Sequence, residues 1–217
     1  MIKKPRVLLA DDHTLVLEGF KKMLEEECEI VGAVEDGRSL LEAAERLQPD
    51  IITLDISMPL LNGIDAALQL RKIAPHAKLI VVTMHADQAY VRKAFQVGAS
   101  GYLLKRSAGS ELNQAVRAVI SGNYYVTSLI AKELVHTAIA EGHKPVIKRE
   151  ALTPRQREVL QLVAEGQTVK EIAATLDISP KTVEFHKTQI MEQLDLHTTA
   201  ELTRYALAHG LIAPEDP

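Results

Sequence analysis

Asp11, Asp12, Asp55, Thr83 and Lys105 supply three carboxylates, a hydroxyl and an ammonium, each placed where a short apolar run of the chain stops. Asp50 to Leu54 is such a run, bounded by Pro49 and Pro59 and too short for a helix, so it reads as a buried strand with Asp55 as its last residue. Asp11 and Asp12 follow Arg6–Ala10, Thr83 follows Leu79–Val82, and Lys105 follows Gly101–Leu104. In an open parallel sheet, ligands bind at the carboxyl edge of the strands, where these ends would converge. Three carboxylates there repel one another, and a divalent cation relieves the repulsion. An oxygen-only donor set with no nearby Cys or His pair favours Mg²⁺ over zinc. Such an ion neutralises an incoming phosphoryl group and aligns it for in-line attack by Asp55, giving an aspartyl phosphate. Lys105 adds a compact positive charge for the phosphoryl oxygens, and Thr83 can donate its hydroxyl to them. Singly, Asp11 is a turn former, Thr83 a strand residue and Lys105 a solvated charge. Jointly, at successive strand ends, they favour the chemical role.

The elements that must position them alternate. Helical spacing of apolar residues predicts helices over Thr14–Glu27 (Leu15, Leu17, Phe20, Met23 and Leu24 inward), Ser39–Leu47, Ile64–Ile73, Asp87–Val97 and Gly109–Ser121. Strands are expected at Arg6–Ala10, Ile30–Val34, up to Asp55, at Leu79–Val82 and at Gly101–Leu104. Alternation of this kind implies an α/β fold with right-handed crossovers: a flavodoxin-like, doubly wound, five-stranded parallel sheet in the order 2-1-3-4-5. Past Gly122 the pattern changes. Thr127–Glu141 reads as one more helix, with Leu129, Ile130, Leu134 and Ile139 apolar, and His143–Glu150 reads as a linker.

Four helices follow with explicit start signals. Thr153, Thr168 and Thr198 each stand three residues before Gln156, Glu171 and Glu201, the capping-box spacing, and Ser179-Pro180 offers an N-cap with proline at the first helical position. Only Leu176-Asp177-Ile178 separates the second helix from the Ser179 cap of the third, which marks a helix-turn-helix whose second helix commonly enters the DNA major groove.

The 217 residues are 47 % hydrophobic and 25 % charged, a globular balance that excludes a disordered chain. No apolar run approaches membrane-span length, and Met1–Pro5 leads into a strand rather than a signal core, so a cytoplasmic protein with no membrane partner is expected. The lone Cys28 fits a reducing compartment and reads as packing.

Ala10-Asp11-Asp12-His13, Asp55 with Met58-Pro59 and Asn62-Gly63, Thr83, and Gly101-Tyr102-Leu103-Leu104-Lys105 together resemble the receiver domains of two-component response regulators. Leu152–Leu160, Lys170-Glu171-Ile172-Ala173 and Ser179–His186 look like the LuxR-type helix-turn-helix, and the combination resembles the NarL/FixJ family. The resemblance implies a receiver over 4–122, a linker with one helix over 123–148 and a DNA-binding domain over 149–214. It implies that Asp55 takes a phosphoryl group from a sensor histidine kinase. It implies Mg²⁺ held by Asp12, Asp55 and the backbone carbonyl of Ser57, with Asp11 assisting. Thr83 and Tyr102 would report the phosphoryl group to the surface. His13 is read as packing. The phosphorylated chain would form a homodimer on double-stranded DNA, on an inverted repeat, to regulate transcription, and would not be an enzyme on external substrates. An aspartyl-phosphate phosphatase of the haloacid-dehalogenase type is the competing class, but Ser57 stands where its second Asp would be.

In the third helix, Val183, Ile190 and Leu194 share an inward stripe with His186 beside it, and Lys181, Glu184, Phe185 and Thr188 face outward. Glu184 could accept from cytosine, and Phe185 or Thr188 could touch a thymine methyl. Lys181 and Lys187 suit phosphates, and Thr182 completes the candidate contact set. Residues 151–217 carry six Lys or Arg against ten Asp or Glu, a net −4, where a DNA-binding domain is expected to be basic. Gln193 replaces the usual Lys and Asp195 the usual Gly. Modest monomeric affinity and a dimer follow, with Leu202, Tyr205, Ala206 and His209 as a candidate pairing face. Burial of that stripe in the domain's own core competes with pairing, and a regulator that controls a partner without DNA is the third class.

Overall fold

Residues 4–132 and 152–212 are described by the structure, a computed structural model. They fall into two compact units, one built on a sheet and one on four helices.

In the first unit, β1 (Arg6–Ala10), β2 (Glu29–Val34), β3 (Ile51–Leu54), β4 (Lys78–Thr83) and β5 (Ala99–Leu104) pair in parallel in the expected order 2-1-3-4-5. A sixth strand, β6 (Tyr125–Val126), adds in parallel beside β5. Its two residues are too few to show a period, which is why alternation missed it. The backbone N–H of Thr127 donates to the Tyr102 carbonyl at 2.9 Å, and its hydroxyl accepts from Leu104 N–H at 3.1 Å. Tyr125, Val126 and the Thr127 backbone therefore extend the sheet. Residues 128–132 are helical. The remainder of the helix expected over Thr127–Glu141 and the linker His143–Glu150 lie outside the described residues.

Helices α1 (Thr14–Leu24) and α5 (Lys105–Ile120) cover one face of the sheet, packing Leu17, Phe20, Leu112 and Val116 against Val7, Leu9, Ile80 and Val82. Helices α2 (Gly37–Leu47), α3 (Gly63–Ile73) and α4 (Gln88–Gln96) follow one another through contacts α2 to α3 and α3 to α4, and α2 packs against β1 and β2. Both sides of the central strands are thus apolar, as a doubly covered parallel sheet requires. Helix α1 stops at Leu24 rather than Glu27, and Leu15, expected inward, is 88 % exposed. Leu17, Phe20 and Leu24, spaced three and four apart, already complete the buried stripe, and Leu15 falls off it.

In the second unit, α6 (Pro154–Ala164), α7 (Val169–Thr175), α8 (Pro180–Leu194) and α9 (Thr199–Ala208) begin where their sequence signals put them. All three capping boxes are closed in both directions. At Thr168, for example, the backbone N–H donates to Glu171 Oε2 at 2.7 Å while the hydroxyl accepts from the Glu171 N–H. Each cap stabilises its helix by about 1 kcal/mol. Asp177 and Asp195, at φ 52° and 55°, take the left-handed conformation that closes α7 and α8. Arg155 donates to the Leu176 carbonyl at 2.7 Å and so ties α6 to the turn between α7 and α8.

The loop that carries Asp55 forward depends on a glycine. Gly63 N–H donates to the Ile56 carbonyl at 2.8 Å, and a Cβ at Gly63 would lie 1.9 Å from the Asp55 backbone oxygen. Backbone cannot yield as a flexible side chain does, so Gly63→Ala is expected to cost about 3 kcal/mol. Urea unfolding measures this, and a midpoint equal to wild type would show that the loop is free to shift.

Candidate functional site

At the carboxyl edge of the sheet, Asp11 follows β1, Asp55 follows β3, Thr83 ends β4 and Lys105 follows β5. Lys105 was expected after the strand and before a helix starting at Gly109, but it is itself the first residue of α5. That placement works against the helix. The first turn of α5 holds no acidic residue, Leu104 at the cap position makes no side-chain hydrogen bond, and Lys105 and Arg106 sit at the positive end of the dipole. The offset comes from the site. Lys105 Nζ lies 2.8 Å from Asp11 Oδ2 and 2.7 Å from Asp55 Oδ2, with its side chain only 10 % exposed. One ammonium thus bridges two buried carboxylates that would otherwise repel each other.

Burial pushes the Asp11 carboxyl above its ordinary value despite the hydrogen bond from Lys105 and that from the His13 N–H. Burial works against the charge on Lys105, but Asp55 and Asp11 outweigh it, so its pKa is raised. Asp12 is exposed, and His13 Nδ1 lies 2.8 Å from Asp12 Oδ1 and 3.1 Å from Asp11 Oδ1. His13 is therefore a polar member of the cluster and not a packing residue. Its position in the chain, directly after two acids, was the available signal.

One donor atom from each of Asp11, Asp12, His13 and Asp55 lies within 4.8 Å of the others. Donors around a small octahedral cation with bonds of about 2.1 Å sit about 3 to 4 Å apart, so small side-chain shifts bring the acids onto one ion. The largely carboxylate donor set fits a hard divalent cation.

Thr83 and Tyr102, both fully buried, meet at His85, a residue with no expected role. The backbone N–H of His85 donates to Thr83 Oγ1 at 3.4 Å, and the Tyr102 hydroxyl donates to the His85 carbonyl at 2.9 Å. The imidazole Nε2 lies 2.9 Å from Ser57 Oγ, and the ring stacks on Tyr90 with centroids 4.3 Å apart. Burial lowers the His85 pKa against the pull of Asp55 and Asp87, favouring a neutral ring. Burial, and then the charge of Asp55, raises that of Tyr102, which stays a protonated donor. Asp11, Asp55 and Lys105 are thus in direct contact, Asp12 joins through His13, and Thr83, Tyr102 and Ser57 form an adjoining group around His85.

In the helical unit, Val183 and Ile190 are buried in α8, while Lys181, Glu184, Phe185 and Thr188 are exposed, as their spacing predicts. Lys187 is half-buried, and Thr182 has its hydroxyl 2.8 Å from that of Ser179 at the cap. The candidate pairing face on α9 is corrected. Leu202 and Ala206 are 1 % and 0 % exposed within the core of the unit, so they cannot also form a free surface. Tyr205 is half-buried and stacks on the exposed His209, with ring centroids 3.8 Å apart.

A doubly wound sheet with acids and a lysine at its carboxyl edge is the arrangement of a response-regulator receiver. The family described as "Response regulator receiver domain" matches residues 7–117, and "Bacterial regulatory proteins, luxR family" matches 150–206. The transcriptional regulatory protein MctR of Rhizobium johnstonii is 37 % identical over 212 residues, covering 97 % of this chain and 96 % of that one. The response regulator UvrY of Escherichia coli is 33 % identical over 211 residues, covering 96 % of each. A structure of the response regulator RcsB in complex with DNA has a TM-score of 0.59 at 30 % identity, covering 94 % of this chain and 98 % of that one. The chain is a two-component response regulator of the NarL/FixJ family, a transcription regulator with a receiver and a LuxR-type DNA-binding domain.

The bridging ammonium has a measurable weight. Lys105→Met leaves two buried carboxylates without a cation and should cost about 3 kcal/mol in urea unfolding with chelator present. Asp55→Asn in the same chain should restore most of that loss by removing one charge. Losses that simply add would show that Lys105 does not bridge the pair.

Proposed function

We propose that Asp55 is the phosphoacceptor of this regulator and that its modification controls DNA binding by the LuxR-type domain. The observation that carries this is the Asp55 carboxylate, 3 % exposed at the strand edge with the Lys105 ammonium 2.7 Å away. An Asp55 oxygen attacks phosphorus in line as the bond to the kinase's histidine nitrogen breaks, and the imidazole leaves with the electron pair of that bond. Asp12, Asp55 and the Ser57 backbone carbonyl would hold Mg²⁺, with Asp11 assisting, and the ion would supply charge neutralisation for the phosphoryl oxygens.

Lys105 already sits at Asp55 and turns to the new phosphoryl oxygens. Thr83 donates its hydroxyl to the same group, which draws it from the His85 N–H. Tyr102 is tied to the carbonyl of that same residue, so a change at Thr83 reaches the buried tyrosine through His85. The change shifts a pre-existing equilibrium toward a DNA-binding homodimer. The receiver in this reading runs from residue 4 through β6, the reader spans 149–214, and the chain acts in the bacterial cytoplasm, where a sensor histidine kinase and double-stranded DNA are both accessible. Pairing through α9 uses its outer side, Tyr205 and His209 with Leu207, which is 37 % exposed. Lys181, Lys187 and Thr182 serve phosphates, while Glu184, Phe185 and Thr188 face base edges in an inverted repeat.

Incubation with acetyl phosphate and Mg²⁺ should add one phosphoryl mass to the wild type and raise its sedimentation coefficient and DNA retention. Asp55→Asn, or removal of Mg²⁺ by EDTA, should abolish the gain in mass. An Asp55→Asn protein that responds as fully as wild type would refute the assignment.

A further inference from the structure

We propose that Glu184 is the base-selecting residue of the recognition helix, requiring a cytosine in each half-site and penalising every other base. The inference rests on the DNA-binding role assigned above. Helix α8 is oriented by its core side, where Val183 and Ile190 are 0 % and 1 % exposed. Its N-terminus is fixed by Ser179, whose hydroxyl accepts from Thr182 N–H at 3.1 Å, with Pro180 at the first helical position. Lys181, Glu184, Phe185 and Thr188 then form one exposed stripe at spacings of three, four and seven. Residues near the N-terminus of a recognition helix are those that reach base edges.

Within that stripe Glu184 is anomalous. It places a carboxylate in the middle of a surface that must approach a polyanion, in a domain that is already acidic. No hydrogen bond or ion pair engages it among the described residues, although Lys181 and Lys187 flank it at three residues on either side. The fold therefore makes no use of the charge. A carboxylate accepts but cannot donate, so in the major groove it is satisfied only by an exocyclic amine. Adenine N6 is accompanied on the same base edge by the N7 acceptor, which repels a carboxylate and suits an amide instead. Cytosine N4 is the matching donor.

Phe185, 58 % exposed and edge-on to His186 with centroids 5.9 Å apart and planes at 60°, presents an apolar ring on the same exposed stripe as the carboxylate, where both would meet the groove. Water excluded by that ring strengthens a correct hydrogen bond and raises the penalty of a wrong base. Glu184 consequently acts with two signs: it strengthens binding to the right site and weakens binding to all other DNA.

The test is a selection from random duplex DNA with full-length protein phosphorylated by acetyl phosphate and Mg²⁺, for wild type, Glu184→Ala and Glu184→Gln. Wild type should enrich an inverted repeat with a fixed cytosine in each half-site. Glu184→Ala should lose the preference at that position alone. Its affinity for the wild-type consensus should fall about tenfold, and its affinity for a scrambled duplex should rise. Glu184→Gln should move the preference toward adenine. Circular dichroism checks that the exposed substitutions leave the helices intact. A Glu184→Ala motif that keeps the cytosine, or weaker binding of that variant to scrambled DNA, overturns this proposal and leaves DNA binding standing. Failure of phosphorylated wild type to enrich any sequence overturns both.

Discussion

The ammonium of Lys105 lies between the carboxylates of Asp11 and Asp55, each only a few per cent exposed, and makes their proximity tolerable. Two like charges so placed in a poorly solvated edge would otherwise repel each other strongly. Holding the lysine there has local costs. It opens α5 at the end of the helix that disfavours a cation, without a side-chain cap. The β1, β3 and β5 strand ends and the α5 start must therefore agree in position, and the parallel register of the sheet supplies that agreement. Gly63 holds the loop after Asp55, since its N–H donates to the Ile56 carbonyl where a Cβ would strike the Asp55 backbone.

The helical unit answers a different requirement. It is small, and its helices of 7 to 15 residues would be marginal alone, so their ends are closed by reciprocal caps while one shared core holds them together. Capping carboxylates at Glu171 and Glu201 contribute to its negative charge, so part of the acidity that argues against DNA binding is structural. What remains on the outward face of α8 is a small set of side chains, and affinity for a polyanion has to come from paired subunits rather than from a basic surface.

The features legible from the residues alone were those with a local physical signature. Strand ends at Ala10 and Leu104 followed from apolar runs, those at Leu54 and Thr83 lie one residue from the expected Asp55 and Val82, and all four helix starts of the second unit followed from Thr or Ser caps. Features set by neighbours distant in sequence were not legible. Strand β6 exists because the edge of β5 is open to Tyr125 and Val126, and α5 begins four residues early because Lys105 is anchored by two acids from other strands. Leu202 and Ala206 have the same pattern whether they meet a core or a second chain, and only packing distinguishes the two. His85 shows its importance through its backbone as much as its ring, and backbone hydrogen bonds leave no mark in residue type.

A crystal structure of the full chain with Mg²⁺ and beryllofluoride, a phosphoryl mimic, would decide whether Asp55, Lys105, Thr83 and Asp12 serve one phosphoryl site. The mimic is expected on an Asp55 oxygen, with Lys105 Nζ and Thr83 Oγ1 within hydrogen-bonding distance of its fluorines and Asp12 on the metal. A mimic bound elsewhere, or a Lys105 that stays with Asp11 and never reaches the fluorines, would contradict it.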